Sequence, residues 1–180
     1  QLERVRRFAP LAAALLNVSE DHLDRYSSQA EYLAAKLRLL ECASRSRSVI
    51  LRRDLLDVPE IQTSVGDGPA VVTFGRRGAD ADFFLDERGA ICRRVNGGGE
   101  ALLAAEALSV PGEHNRENAM AALALCEAVG LPAPEAARHL QAYVPSAHRL
   151  ETVEIIDGIR CVNDSKSTNP DSLARALEAL

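Results

Sequence analysis

Hydrophobic and polar positions follow two different spacings along this chain, and the alternation between them predicts helices and strands in turn. Short apolar runs bounded by polar residues, which are typical of buried strands, occupy residues 14–18, 48–51 and 70–74. Apolar residues at helical spacing predict helices over residues 2–12, 28–40, 114–129 and 134–143. We therefore expect an α/β protein with a core of alternating helices and strands.

Turn and capping residues mark the ends of these elements. Ser28 and Glu31 have the S-x-x-E spacing of a capping box, which predicts a helix start. A hairpin is expected to turn at residues 86–89, and a second one at Asp157-Gly158, between apolar runs at 150–156 and 159–163. The run Gly97–Gly99 lacks the G-x-G-x-x-G spacing and a following helix, so we interpret it as a flexible turn.

The organisation of the chain changes near Val144. The pattern predicts one α/β domain over residues 1–145 and the beginning of a second α/β domain over residues 146–180, with Pro170 starting its helix. The chain begins with Gln1 and ends at Leu180 within a helical pattern that has no cap, and we interpret it as a piece of a longer protein.

Composition excludes several classes of function. The net charge of -5 and the scarcity of aromatic residues argue against a nucleic-acid partner. No apolar run approaches the roughly 20 residues of a membrane span, so we expect a cytoplasmic protein without a membrane partner. The four cysteines stand singly, without a C-x-x-C pair, which favours buried thiols over zinc sites or disulfides.

Lys36 is the most unusual candidate residue. It lies between Tyr32 and Leu40 at four-residue spacing, on the face of the helix that the pattern predicts to be buried. An acidic cluster around His22 precedes this helix, and Lys36 could pair with one of its carboxylates or extend its ammonium to solvent. Alternatively, Lys36 could bind phosphate or be modified to carry negative charge. Desolvation favours the neutral amine, which is the reactive form.

Other polar stretches lie where ligands bind in α/β proteins. The stretch "NDSKSTNP" offers a carboxylate, an ammonium, hydroxyls and backbone amides before a helix, a combination that can hold an anion or simply cap the helix. "HNRENA" and "AHR" are equally ambiguous from residue types alone. His22 follows a predicted strand, where ligands commonly bind, but a lone histidine is more often structural.

Taken together, these stretches resemble the Mur ligases, ATP-dependent enzymes that build the peptide of bacterial cell-wall precursors. "LLNVSEDHLDRY", "YLAAKLRL", "HNRENAMAALALCEAVGLP", "HRLE" and "NDSKSTN" occur in the order and approximate spacing of that family. The resemblance implies a central ATP-binding domain, with a sheet of the P-loop type and a small hairpin region, and the start of a Rossmann-like C-terminal domain. "NDSKSTN" is most similar to the members that add D-glutamate to UDP-N-acetylmuramoyl-L-alanine.

The resemblance also implies roles for individual residues. The resemblance implies two magnesium ions. Lys36 would carry a carbamate and would bind one of these ions together with His22. Asn115 and Asn118 would lie near the adenine of ATP, at a spacing that places both on one face of a helical turn. Arg149 and Asp164 would contact the nucleotide and its phosphates. Lys166 and Thr168 would contact the reacting carboxyl and the incoming D-glutamate.

Some expected parts of the family pattern are absent from this sequence. The G-x-x-G-K-[ST]-type phosphate loop and the domain that binds the uridine nucleotide would precede Gln1, and the rest of the C-terminal domain would follow Leu180. We therefore expect these 180 residues alone to be inactive. Separately, we expect the whole enzyme to be a monomer. Two alternatives remain open: another Mur or folylpolyglutamate-type ligase, and a non-catalytic nucleotide-binding module.

Overall fold

A mixed six-stranded sheet forms the centre of the fold. This computed structural model describes residues 5, 7–18, 26, 28–76, 78 and 80–180. The strands are β1 (Ala12–Leu15), β2 (Ser48–Arg52), β3 (Ala70–Gly75), β4 (Phe83–Leu85), β5 (Ile91–Val95) and β6 (Gly98–Leu103). They lie in sequence order; the pairs from β1 to β4 are parallel, and the pairs β4–β5 and β5–β6 are antiparallel. The predicted α/β class is confirmed.

Helices cover both faces of this sheet. They are α1 (Gln29–Cys42), α2 (Pro59–Val65), α3 (Glu113–Ala128) and α4 (Ala133–Leu140). On β2, Val49 and Leu51 belong to the apolar cluster that contains α1 and α2, whereas Ile50 belongs to the cluster that contains α3 and α4. Because β2 is buried on both faces, its sequence is a continuous apolar run and not an alternating one.

The structure corrects the predicted first helix. Residues 7–11 are not helical, and Ala12, predicted on the helix, begins β1. Strand β1 therefore starts earlier than the predicted run at 14–18 and ends at Leu15. Parallel pairing of β1 with β2 overrides the helical spacing. Just before these strands, the Arg47 amide donates to Leu11 O at 2.8 Å and the Ser46 hydroxyl donates to Pro10 O at 2.6 Å. The prediction for Leu2 lies outside the described residues.

The other helix predictions are confirmed with small shifts at their ends. The Ser28 side chain accepts from the Glu31 amide at 3.2 Å, so it caps α1 as expected. Val129, predicted on the buried stripe of α3, is 52% exposed, because it lies beyond the last residue of that helix. Helix α4 ends at Leu140, three residues before the predicted end.

The glycine run is only partly a turn. Asn96 and Gly97 have φ angles of 49° and 81°, which is the left-handed pair that a two-residue hairpin turn requires. Gly98 and Gly99, however, belong to β6, which the sequence analysis missed. A Cβ on Gly99 would lie 2.9 Å from the Phe84 ring, so any other residue at this position would require the ring to move.

A second, two-stranded sheet follows the linker around residue 145. Strands β7 (Glu151–Ile156) and β8 (Ile159–Asn163) pair antiparallel, and Asp157 and Gly158 form their turn with φ angles of 49° and 80°. Helix α5 (Pro170–Ala179) then starts at a capping box made by Asn169 and Ser172. These elements agree with the predicted hairpin and helix, while the division into domains at residue 145 stays a prediction.

In the part of the chain that the structure describes, every helix is too short or too polar to cross a membrane.

Candidate active site

A cavity of about 540 Å³ opens at the carboxyl ends of the parallel strands. Residues 16–18 follow β1, Arg52 ends β2, and Phe74 lies near the end of β3; all three positions line the cavity. The opposite wall comes from the first turns of α3, the linker, and the loop and first turns of α5. In open α/β sheets, this edge is where ligands bind.

Four predicted site residues meet at this cavity: Asn115, Asn118, Arg149 and Asp164. They come from α3, the linker and the loop after β8, which are far apart in sequence. The Asn115 side-chain amide donates to Pro111 O at 2.6 Å, which orients it at the helix start. Gly112, at a φ of 96°, sets the sharp entry of the chain into α3.

Asp164 also has a structural function in the loop. Its Oδ1 accepts from the Leu150 amide at 3.0 Å, and its Oδ2 accepts from the Ser167 hydroxyl. The carboxylate therefore ties the linker to the loop that precedes α5. This arrangement fixes the wall of the cavity on which Arg149 lies.

Two predicted residues of the same loop do not line the cavity. Lys166 and Thr168 are both exposed. The backbone amide of Lys166 donates to His148 O at 3.2 Å, which holds the loop against the linker. The structure therefore separates these two residues from the four that share the cavity.

Lys36 is half-buried on α1 and is not among the residues that line the cavity. Its Nζ donates to the carbonyl oxygen of Asn17 at 2.8 Å and lies 4.7 Å from the centroid of the Tyr32 ring. Asn17 itself lines the cavity, so one residue connects Lys36 to it. His22 and the neighbouring acidic residues lie outside the described residues.

Of the two contacts of Lys36, the hydrogen bond to Asn17 is compatible with a carbamate and the Tyr32 ring favours a cation. A carbamate nitrogen retains one hydrogen, which could still donate to the Asn17 carbonyl oxygen. Carbamate oxygens are hard ligands of the kind that Mg²⁺ prefers. Within the described ranges, no group of three or more His, Cys, Asp or Glu side chains is close enough to hold a metal ion.

Several cavity residues escaped the sequence analysis: Arg52, His114, Glu117 and Arg175. Glu117 is only 7% exposed, and the Nε of Arg76 donates to its Oε1 at 2.6 Å. This hydrogen bond raises the pKa of Arg76 above its ordinary value. Glu117 precedes the buried residue Ala121 by four positions, which places it on the apolar stripe of α3, and that spacing could have revealed it.

His114 and Arg52 also have altered acid-base properties. Burial lowers the pKa of His114, and the charge of Arg175 lowers it further, against the opposing effect of Glu117. The neutral imidazole is therefore favoured at the cavity. The hydrogen bond with Asp54 raises the pKa of Arg52, so this guanidinium stays charged at the end of β2.

These features define an α/β protein whose cleft, at the carboxyl edge of a parallel sheet, presents amide, guanidinium and carboxylate groups from separate parts of the chain. The family described as the Mur ligase middle domain matches residues 1–126. The chain belongs to the Mur ligase family.

Curated relatives agree with this assignment. The chain is 36% identical over 179 residues to the UDP-N-acetylmuramoylalanine--D-glutamate ligase of Pelotomaculum thermopropionicum, covering 99% of this chain and 39% of that protein. It is 40% identical over 185 residues to the protein of the same name from Dechloromonas aromatica, covering 100% of this chain and 38% of the relative. The chain thus spans about two fifths of the length of these relatives.

A solved structure supports the fold. The crystal structure of MurF from Acinetobacter baumannii superposes on 95% of this chain and 37% of its own, with a TM-score of 0.75. The sequence identity between the two is 22%, so this likeness concerns the fold alone.

Proposed function

We propose that this chain is part of an ATP-dependent ligase that adds D-glutamate to UDP-N-acetylmuramoyl-L-alanine in peptidoglycan precursor synthesis. The observation that carries the proposal is the meeting of Asn115, Asn118, Arg149 and Asp164 at one cavity, in a chain whose curated relatives bear that enzyme's name. Amides suit a nucleotide base, and a guanidinium suits phosphate.

In the proposed reaction, the alanyl carboxylate attacks the γ-phosphorus of ATP, and ADP leaves with the electrons of the broken P–O bond. The amine of D-glutamate then attacks the acyl phosphate, an amide bond forms, phosphate leaves, and the amine loses a proton. Phosphoryl transfer of this kind depends on positioning and on cations that stabilise developing charge. Arg149 is the proposed cation from the linker.

The other residues have supporting functions in this proposal. Asn115 and Asn118 would bind the adenine, and Asp164 would contact the nucleotide while it ties the linker in place. Lys166 and Thr168 would contact the reacting carboxyl and D-glutamate. Both are exposed and are not among the residues that line the cavity, so this part of the proposal rests on the resemblance of "NDSKSTN".

Lys36 is proposed to react with carbon dioxide as a neutral amine, forming an N–C bond and releasing a proton. The resulting carbamate and His22 would hold one of two Mg²⁺ ions, which neutralise phosphate charge when bound. The contacts with Asn17 and Tyr32 support an alternative in which Lys36 remains an ammonium and is structural. We further propose that the whole enzyme is a cytoplasmic monomer.

The test is ADP release by the intact gene product with ATP and UDP-N-acetylmuramoyl-L-alanine, offering D-glutamate, L-glutamate, L-lysine or meso-diaminopimelate in turn. We expect turnover with D-glutamate alone. Turnover with another amine would instead favour a sister ligase, and no turnover with any of the four would favour a non-catalytic nucleotide-binding module. The 180-residue segment alone is expected to release no ADP.

A further inference from the structure

Helix α3 is joined to the sheet by an arginine–glutamate pair near each end. Near its N-terminal end, Arg76, which follows β3, donates from Nε to Glu117 at 2.6 Å, and its Nη1 lies 3.7 Å from Glu113. Near its C-terminal end, Arg93 of β5 pairs with Glu127. Both are arginine–glutamate pairs, but Glu127 is more exposed than Glu117, and Arg93 also pairs with Glu100 of β6.

Only the first pair adjoins the cavity. Glu117 lines it and is the residue before Asn118 and the second after Asn115, whereas Arg76 does not line it. Arg76 instead borders a second cavity of about 500 Å³, which shares Arg52, Glu117 and Arg175 with the first. Glu117 is the residue of the first cavity to which Arg76 donates a hydrogen bond, so we expect Arg76 to affect a ligand there mainly through Glu117.

Glu117 needs a counter-ion because it is buried. A carboxylate that is 7% exposed loses most of its hydration, and removal of its charged partner leaves it strongly destabilised. The unpaired side chain would turn toward water, and the helical turn that carries it would shift. That same turn presents Asn115 and Asn118 to the cavity.

We propose that Arg76 is a positioning residue for nucleotide binding, which acts by fixing Glu117 and thereby the turn that carries Asn115 and Asn118. The inference rests on the proposed function in that it takes the ligand of this cavity to be ATP. It assigns to Arg76 a role that no spacing in the sequence indicates, since Arg76 and Glu117 are 41 positions apart.

The test uses the Arg76→Gln variant of the intact gene product, with ADP as the probe in isothermal titration calorimetry. We expect the Kd for ADP and the KM for ATP to rise about tenfold or more, because small displacements of positioning groups have effects of this size. The KM for the acceptor amine should be unchanged. Arg76→Lys, which keeps the charge but not the planar fork, should recover part of the affinity.

Arg93→Gln is the control, since it also removes an arginine–glutamate pair of α3, at the end away from the cavity, together with the pair between Arg93 and Glu100. We expect it to lower the Tm while leaving the Kd for ADP unchanged. If Arg76→Gln does not fold, Arg76→Lys is compared with Arg93→Lys, and a rise in the Kd for ADP in Arg76→Lys alone supports the proposal.

Three results would count against parts of this scheme in distinguishable ways. An unchanged Kd for ADP in the Arg76 variants, whatever their loss of Tm, would overturn the positioning role and leave the ligase proposal intact. Failure of the wild-type protein to bind ADP would overturn both. Binding of ADP without amide formation would overturn the ligase proposal alone, and the Kd comparison between variants would still decide the role of Arg76.

Discussion

Among single residues, Lys36 has two contacts that any proposed chemistry must accommodate. Its Nζ donates to Asn17 O and lies over the Tyr32 ring, so an ammonium is already well placed there. A carbamate would keep the first contact through its remaining N–H but would lose the cation–π attraction of the second. Substitutions that keep the positive charge therefore distinguish the two forms.

We expect Lys36→Ala to lower ligase turnover of the intact gene product about 100-fold or more, because a charged group near the phosphates is lost. Short carboxylates added to the buffer should restore part of the activity by taking the place of the carbamate. Lys36→Arg keeps a donor and a cation but cannot be carbamoylated. Full activity of Lys36→Arg, measured as ADP release, would show that Lys36 is only structural.

At the residue scale, the resemblance to a family singled out residues that residue types alone left ambiguous. The asparagines, Arg149 and Asp164 share one cavity, and their roles there stay predictions. The ion pair of Arg76 with Glu117 joins a strand end to a helix across 41 positions, and no local pattern encodes such a contact. Sequence also did not reveal that Lys166 and Thr168 are not among the residues that line this cavity.

At the scale of elements, close packing between connecting loops limits which residues the chain accepts. Gly68 lies in the connection between α2 and β3, and a Cβ at this position would be 2.5 Å from the carbonyl oxygen of Ser44. Ser44 follows α1, so the two connections pack closely here. Since the obstacle is a backbone atom, a side-chain rotation cannot relieve the contact.

We predict that Gly68→Ala destabilises the protein by about 1–3 kcal/mol, the usual effect of overpacking. Gly98→Ala is the control, because its nearest atom, the Val95 carbonyl oxygen, is 3.6 Å from the new Cβ. The measurement is the thermal unfolding midpoint of each variant of the intact gene product. Equal midpoints for the two variants would mean that the connections separate easily.

Prediction of elements from sequence was reliable for short apolar strands and capped helices. It was less reliable where pairing with a neighbouring strand decides whether a segment is a strand. The strands at Ser48–Arg52 and Ala70–Gly75 are apolar and short, and the sequence analysis placed both within a residue or two. Ala12–Leu15 is alanine-rich, which favours a helix locally, yet it pairs with β2. Strand β6 begins with two glycines, whose weak strand propensity concealed it.

At the scale of the whole molecule, residues on both sides of the linker line the cavity. Two of them, Arg149 and Asp164, should differ in how much their removal lowers stability. Arg149 is exposed on the linker, whereas Asp164 ties Leu150 to Ser167. Loss of an exposed guanidinium costs little stability. Loss of the Asp164 carboxylate leaves the Leu150 amide without its acceptor, which typically costs about 1–3 kcal/mol.

We therefore expect Arg149→Ala to slow ATP-dependent turnover about 100-fold with an unchanged Tm. Asp164→Ala should slow turnover and also lower the stability of the linker region, while residues before 145 stay folded. Activity assays and circular dichroism of the intact gene product measure both effects. Global unfolding of either variant would contradict this placement of the two residues.

The change from parallel to antiparallel pairing at β4 has a consequence for the order in which the chain assembles. Only short turns separate β4, β5 and β6, whereas residues 16–47 lie between β1 and β2. Short loops close at a smaller entropic cost, and local contacts form faster than distant ones. We therefore expect the hairpins to form early in folding. The cavity is completed late, because Arg175, near the end of the chain, is one of its lining residues.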